Sequence, residues 1–229
     1  MTQQEIERRT IAHLSQYITD HKKETIEKVL SLRTNHVTIV LEDIFQSQNA
    51  SAVIRTCECM GLQDVHIVEN LSKYHLNTRV LKGADKWMHL GRYKDVNTNN
   101  TEICFAKLRS EGYKILVTDP GEDGMSIHDI DPVANKLAIV FGNELRGTSS
   151  YAIEHGDYKV KIPMFGFTES LNISVSVAIC LNSLITRLRS SSINYGLTDE
   201  EKEIIRLNWY RKVVRRSDII EREFLRTIE

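Results

Sequence analysis

The stretch that most constrains the fold runs from Leu137 to Asn182, LAIVFGNELRG, then a polar spacer, then KIPMFGFTESLNISVSVAICLN. Two short apolar runs, Leu137 to Phe141 and Tyr158 to Ile162, each pass directly into a loop rich in Gly, Asn, Ser and Glu, and each loop leads into a helical segment. Apolar runs of this length, bounded by turn residues, read as buried strands. In an open α/β sheet, ligands sit at the carboxyl ends of parallel strands, because loops there hold side chains and free backbone groups over a crevice. The two loops are expected side by side, forming a pocket.

Elimination narrows what the pocket holds. Gly142 and Gly147 have GxxxxG spacing, but Thr148 and Ser149 follow, so the lysine that would reach terminal phosphates is missing. GxGxxG follows none of the strands, which removes the dinucleotide fingerprint. The ligand has to be held in another way.

Further short strands are expected at Val37 to Leu41, Asp64 to Glu69, Trp87 to Tyr93 and Lys114 to Thr118, with helices between them. This alternation predicts an α/β fold, a mainly parallel sheet with helices on both faces. The first of these helices is expected to begin near Asn49 and stop at Gly61, which makes Asn49 an N-cap and places Arg55 about one and a half turns further on. Taken alone, a plain cap and a surface ion pair account for these two residues. The segment LSKYHLNTRVLKGADKW carries Lys73, Arg79, Lys82 and Lys86 against one acid, Asp85. It suits an RNA backbone or an ordinary solvated loop.

The flanks read as helical, dividing the chain into residues 1–33, 34–190 and 191–229. Ile6, Ile11, Leu14, Ile18, Ile26, Val29 and Leu30 form an amphipathic stripe in the first part. Arg8 and Arg9 lie among nearby acids, as a solvated face or part of a polyanion clamp. In the last part Thr198 and Glu201 form a capping box. Arg211, Lys212, Arg215 and Arg216 are expected on one face of the helix that follows, as a phosphate-binding patch, a dimer contact, or cations paired with Glu221 and Glu223.

Composition sets outer bounds. Thirty basic and 31 acidic residues give a net charge of -1, so any basic surface is local. MTQQEIERRT holds no apolar signal core, and Ile173 to Leu188 is interrupted by Ser174, Ser176, Asn182, Ser183, Thr186 and Arg187, so no membrane span is expected. Cys57 and Cys59 point to different faces of a helix, Cys104 and Cys180 stand alone, and the histidines form no HxH or HxxxH pair, so no metal site is expected. Unpaired cysteines fit a reducing cytoplasm.

Three segments together carry a family resemblance. NASAVIR (Asn49 to Arg55), FGNELRG (Phe141 to Gly147) and IPMFGFTESLNISVSVAI (Ile162 to Ile179) resemble motifs one, two and three of the SpoU (TrmH-like) RNA ribose 2′-O-methyltransferases of the SPOUT class, over roughly residues 36–190. The resemblance implies a deep trefoil knot, which ordinary chain topology would not suggest. It also implies an S-adenosylmethionine cleft contacted at Thr118, Gly142, Ile162 and Leu171, and a homodimer with the active site near its interface. Arg55 resembles the residue proposed as base in that family. A guanidinium pKa of about 12.5 or more favours a phosphate clamp instead. Asn49, Glu144, Ser170 and Asn172 are implied in fixing the ribose and loops, Glu144 by positioning Arg55 or neighbouring groups. Ser170 and Asn172 can also cap the helix near Asn172. Phe165 and Phe167 stand where smaller aliphatics are common. The short N-terminal stretch and basic tail resemble the layout of members that methylate the D-loop guanosine at position eighteen of transfer RNA. Ribosomal RNA is the alternative substrate, and a non-catalytic RNA-binding protein on the same fold is the alternative class.

Overall fold

The computed structural model describes residues 1–75, 77–121 and 123–228. These divide into two compact units, Thr34–Tyr195 and a helical unit of Met1–Arg33 with the segment from Gly196 onward.

The first unit is built on a seven-stranded sheet: β1 (Val37–Glu42), β2 (Asp64–Val68), β3 (His89–Tyr93), β4 (Tyr113–Thr118), β5 (Met125–Ser126), β6 (Lys136–Phe141) and β7 (Tyr158–Lys161). The order is β3-β2-β1-β6-β4-β7-β5, and every pairing is parallel. All strand carboxyl ends therefore lie along one edge. The expected neighbourhood of β6 and β7 needs correction, because β4 lies between them and pairs with both. The loop after Thr118 thus separates the two loops that the sequence pattern placed side by side. The strand expected from Trp87 begins only at His89, because residues Ala84–Lys86 form a 3-10 turn.

The helices are α3 (Ser47–Met60), α4 (Thr78–Leu81), α5 (Asn100–Ser110), α6 (Ser150–His155) and α7 (Ile173–Arg189). Successive strand residues point to opposite faces, so one strand serves two cores. Ile39, Leu41, Leu137, Ile139 and Phe141 meet Val53, Ile54 and Cys57 of α3 and Val177, Leu181 and Leu184 of α7 on one face. Val40, Ala138, Val140, Ile115 and Val117 meet Cys104, Phe105 and Leu108 of α5 and Ala152 of α6 on the other. Cys57, Cys104 and Cys180 are buried, and apolar surroundings push their thiols up, Cys104 and Cys180 to about 12. That is packing chemistry, not nucleophile chemistry.

One arginine ties α7 to the β4–β6 connection. The Arg187 guanidinium donates to the carbonyls of His128 (2.9 Å), Ile130 (2.7 Å) and Ile127 (3.1 Å), so α7, packed on α3, is also gripped by that connection.

The helical unit consists of α1 (Gln3–Ser15), α2 (Asp20–Ser31), α8 (Asp199–Val213) and α9 (Ser217–Leu225). Thr198 and Glu201 form the capping box that starts α8. The expected four-cation face is corrected here. α8 stops at Val213, and Arg216 takes a left-handed φ of 57° before α9, so Arg215 and Arg216 lie in a turn, off the helix that carries Arg211 and Lys212. No helix among the described residues is long and apolar enough to cross a membrane.

Candidate functional site

β1 ends in two acids that organise the loops around it. Glu42 is buried; its carboxylate accepts from Thr101 Oγ1 (2.5 Å), Ser149 Oγ (2.7 Å) and Ser149 N (2.8 Å). Asp43 follows at φ 52°, a left-handed conformation that Asp tolerates better than most residues. Its Oδ1 accepts from three successive backbone N–H groups, Asn70 (2.8 Å), Leu71 (2.7 Å) and Ser72 (3.0 Å). Its carbonyl accepts from Asn143 Nδ2 at 2.7 Å. The two acids thereby tie the loop after β6 down near both ends.

That loop is closed tightly on itself. Asn143 and Gly147 exchange backbone hydrogen bonds of 2.9 and 2.8 Å, and Asn143 Oδ1 accepts from the N–H groups of Leu145 and Arg146. A Cβ on Gly142 would lie 2.2 Å from Thr148 N, so the loop passes directly over that glycine. Gly147 is needed for a different reason, its φ of 72°.

Glu144 projects from this loop to the start of α3. Its Oε2 accepts from Phe45 N (2.8 Å), and its Oε1 from Gln46 N (3.2 Å) and Asn49 Nδ2 (2.9 Å). The partial burial of Glu144 raises its pKa, but the bonds from Asn49, Phe45 and Gln46 outweigh this and hold the carboxyl below its usual range. Asn49 is consequently not the N-cap. α3 begins at Ser47, and the carboxylate ahead of it comes from a distant loop. The Asn49 amide is left bridging, because its Oδ1 accepts from Asn172 Nδ2 at 3.1 Å. Asn172 also caps α7, accepting from Ser174 N at 2.9 Å. Ser170 makes no such cap; it is exposed.

Asn172, Asn49 and Glu144, distant in sequence, thus form one hydrogen-bonded series at the strand ends. Thr118, Gly142, Ile162 and Leu171 stand at the ends of β4, β6 and β7 and in the loop before α7. Thr118 directs its hydroxyl inward, donating to Val140 O at 2.8 Å, and its carbonyl accepts from Thr148 Oγ1 at 3.4 Å. Arg55 does not join the series. It lies six residues beyond Asn49, about 9 Å along α3 and on another face. It is exposed and makes no side-chain hydrogen bond or ion pair among the described residues. Glu144 therefore positions Asn49 and the start of the helix and leaves Arg55 alone.

In the helical unit, Arg8 is paired with Glu203 (3.0 Å), Arg9 with Glu5 (3.4 Å) and Arg211 with Glu221 (2.9 Å). Arg215 and Arg216 are exposed. A cavity of about 360 Å³ lined by Ile6, Thr10, Arg211, Glu221 and Leu225 also belongs to this unit and contains none of the residues of the Asn172–Asn49–Glu144 series.

Sequence reasoning missed Glu42, Asp43, Asn143 and Arg187. Consecutive acids at a strand's carboxyl end, beside a Gly-Asn loop, were the available signal for the first three.

The chain is an α/β protein with an all-parallel sheet whose strand-end loops are cross-linked through three separated polar segments. It belongs to the SpoU rRNA Methylase family, whose model residues 36–182 match. Among its relatives, the tRNA (guanosine(18)-2′-O)-methyltransferase of Borreliella burgdorferi is 49% identical over 211 residues, 92% of this chain and 94% of that protein. The Thermus thermophilus protein of the same description is 29% identical over 85% of this chain and 98% of its own. The crystal structure of the A. aeolicus TrmH/SpoU tRNA modifying enzyme has the same fold, with a TM-score of 0.76 at 24% identity, covering 86% of this chain and 98% of that one. AviRb from Streptomyces viridochromogenes, solved in complex with AdoMet, aligns with a TM-score of 0.60 at 18% identity over 72% of this chain and 65% of its own.

Proposed function

We propose that the protein transfers the methyl group of S-adenosylmethionine to the 2′-hydroxyl of guanosine 18 in transfer RNA. The observation that carries the reading is the Asn172–Asn49–Glu144 series, which brings the three family motifs to one place. The 49% identical relative supports position and RNA class. The family's description names ribosomal RNA, which makes that the alternative substrate.

The methyl donor supplies an electrophilic methyl on a sulfonium. The residues present suit it: Gly142 and its overlying loop offer main-chain groups, and Ile162 and Leu171 offer partly exposed apolar surface. No phosphate-binding lysine is needed. What the protein must add is alignment of the ribose oxygen and removal of its proton. In this reading Asn49, held by Glu144, and Asn172 orient the ribose with Ser170. Arg55 clamps an RNA phosphate and stabilises the developing alkoxide, as a permanently charged guanidinium can.

Because Arg55 stands apart from the series within one chain, we extend the reading to a homodimer in which the reacting centre lies near the interface between copies. The same reading includes the knotted topology of the family, with Arg187 of α7 fastened to the β4–β6 connection. A transfer-RNA substrate is consistent with work in the cytoplasm.

Incubating the protein with radiolabelled S-adenosylmethionine and bulk transfer RNA, then mapping the methylated ribose by mass spectrometry, tests this. Label at guanosine 18 is expected, and Arg55→Ala abolishes it while cofactor affinity is kept. Label confined to ribosomal RNA, or cofactor binding without transfer to any RNA, overturns the reading.

A further inference from the structure

The loop between β2 and β3 carries cations that no acid neutralises. Lys73, Arg79 and Lys82 are exposed, and none makes a side-chain hydrogen bond or ion pair among the described residues. The placement of Arg79 and Lys82 beside α3 is fixed: Asn77 N donates to Ser51 Oγ at 3.1 Å, and Asn77 Oδ1 caps α4 by accepting from Val80 N. Ser51 and Arg55 are four residues apart, so they share a face of α3. α4, with Arg79 on it and Lys82 at its end, therefore starts one turn from Arg55. Lys82 at φ 52° and Gly83 at φ 85° turn the chain sharply there. The acids bonded on either side of Lys73 are already engaged, Asp43 by Ser72 N (3.0 Å) and Glu69 by Tyr74 N (2.9 Å) and Arg92, and both are buried; Asp85 is the acid within the loop itself.

We propose that Lys73, Arg79 and Lys82 extend from Arg55 as a contact surface for the sugar-phosphate backbone of the RNA substrate. The physical ground is the contrast with Arg8, Arg9 and Arg211. Each of those is paired with a carboxylate, so an arriving phosphate meets a neutral pair and a nearby negative charge. Unpaired cations give the phosphate a net attraction and release condensed counterions on binding.

The inference rests on the reading of RNA as substrate, and its test separates the two. Transfer-RNA binding without cofactor is measured between 50 and 200 mM salt for the wild type and for Lys73→Gln, Arg79→Gln, Lys82→Asn combined. Asparagine is chosen at position 82 because it accepts a left-handed backbone. The slope of log affinity against log salt is expected to lose about 2 in magnitude, so the affinity gap between the proteins narrows roughly 16-fold over that range. The KM for RNA rises, while S-adenosylmethionine affinity and kcat at saturating RNA stay unchanged. The charge-keeping variant Lys73→Arg combined with Arg79→Lys, with Lys82 left in place, is expected to hold the wild-type slope, so a slope lost here as well would mean a damaged loop and overturn the charge assignment, while equal urea midpoints of the triple variant and the wild type check that the triple variant is folded. A triple variant with the wild-type slope, when the wild type methylates transfer RNA, overturns this inference alone. A wild type that binds transfer RNA without methylating it removes the functional reading and leaves the surface standing.

Discussion

The sheet unit and the terminal helical unit handle charge in opposite ways. At the strand carboxyl ends of the sheet unit, acids turn inward: Glu42, Asp43 and Glu69 are buried, and each accepts hydrogen bonds from loop backbone. In the helical unit, acids turn outward to meet cations on the surface, as in Arg8–Glu203, Arg206–Glu27 and Arg211–Glu221. A buried carboxylate that loses its donors, or leaves them behind, costs far more than a parted surface pair. Precision in loop placement is thus concentrated at the carboxyl ends of the strands, where a reacting geometry has to be held.

The strongest way to break this comparison is at Gly142. Alanine there puts a Cβ within 2.4 Å of Gly147 and Thr148 backbone atoms, which cannot swing aside as a side chain would. Overpacking of this kind costs about 1–3 kcal/mol, and here the loop itself must shift. Gly142→Ala is expected to lower the melting temperature and abolish S-adenosylmethionine binding in calorimetric titration. Gly147→Ala is milder, because nothing stands within 4 Å of its Cβ and only the left-handed backbone resists, by about 1–2 kcal/mol. Equal losses at the two positions would show that the overlying loop gives way freely.

Glu42 sharpens the comparison further. Glu42→Leu strands the Ser149 N–H, for a loss of about 1–3 kcal/mol in urea denaturation. Glu42→Gln has a rescue open to it: the amide oxygen faces Ser149 N while the amide NH₂ donates to the Ser149 and Thr101 hydroxyls, which rotate to accept. Cofactor affinity is therefore expected to fall in the leucine variant and survive in the glutamine one. If glutamine fails as badly as leucine, the charge matters and not the hydrogen bonds.

The elements of the fold were largely legible because strand and helix periods are local. Val37 to Glu42 and Lys136 to Phe141 announce themselves by β-branched content, and Thr198 with Glu201 announces α8. Strand order was not legible, since the insertion of β4 between β6 and β7 is a matter of crossovers that leave no local pattern. The three motifs named Asn49, Glu144 and Asn172 through family resemblance, but their connection depended on contacts spanning 95 and 123 residues. The same distance hid the true start of α3. In the tail, cation spacing continued past Val213 although the helix did not, because Arg216 adopts a left-handed backbone without a glycine to signal it.

The smallest expected effect tests the other side of the contrast. Arg8 and Glu203 keep 61% and 26% of their side-chain surface in water, so their attraction is screened and ordering two long side chains offsets much of it. Arg8→Ala should change stability by under about 1 kcal/mol, an effect that shrinks further in roughly 0.5 M salt. Glu203→Ala frees Arg8 without removing its charge. If RNA binds the helical unit through Arg8, that variant gains affinity for transfer RNA at low salt; unchanged affinity removes Arg8 as a backbone contact.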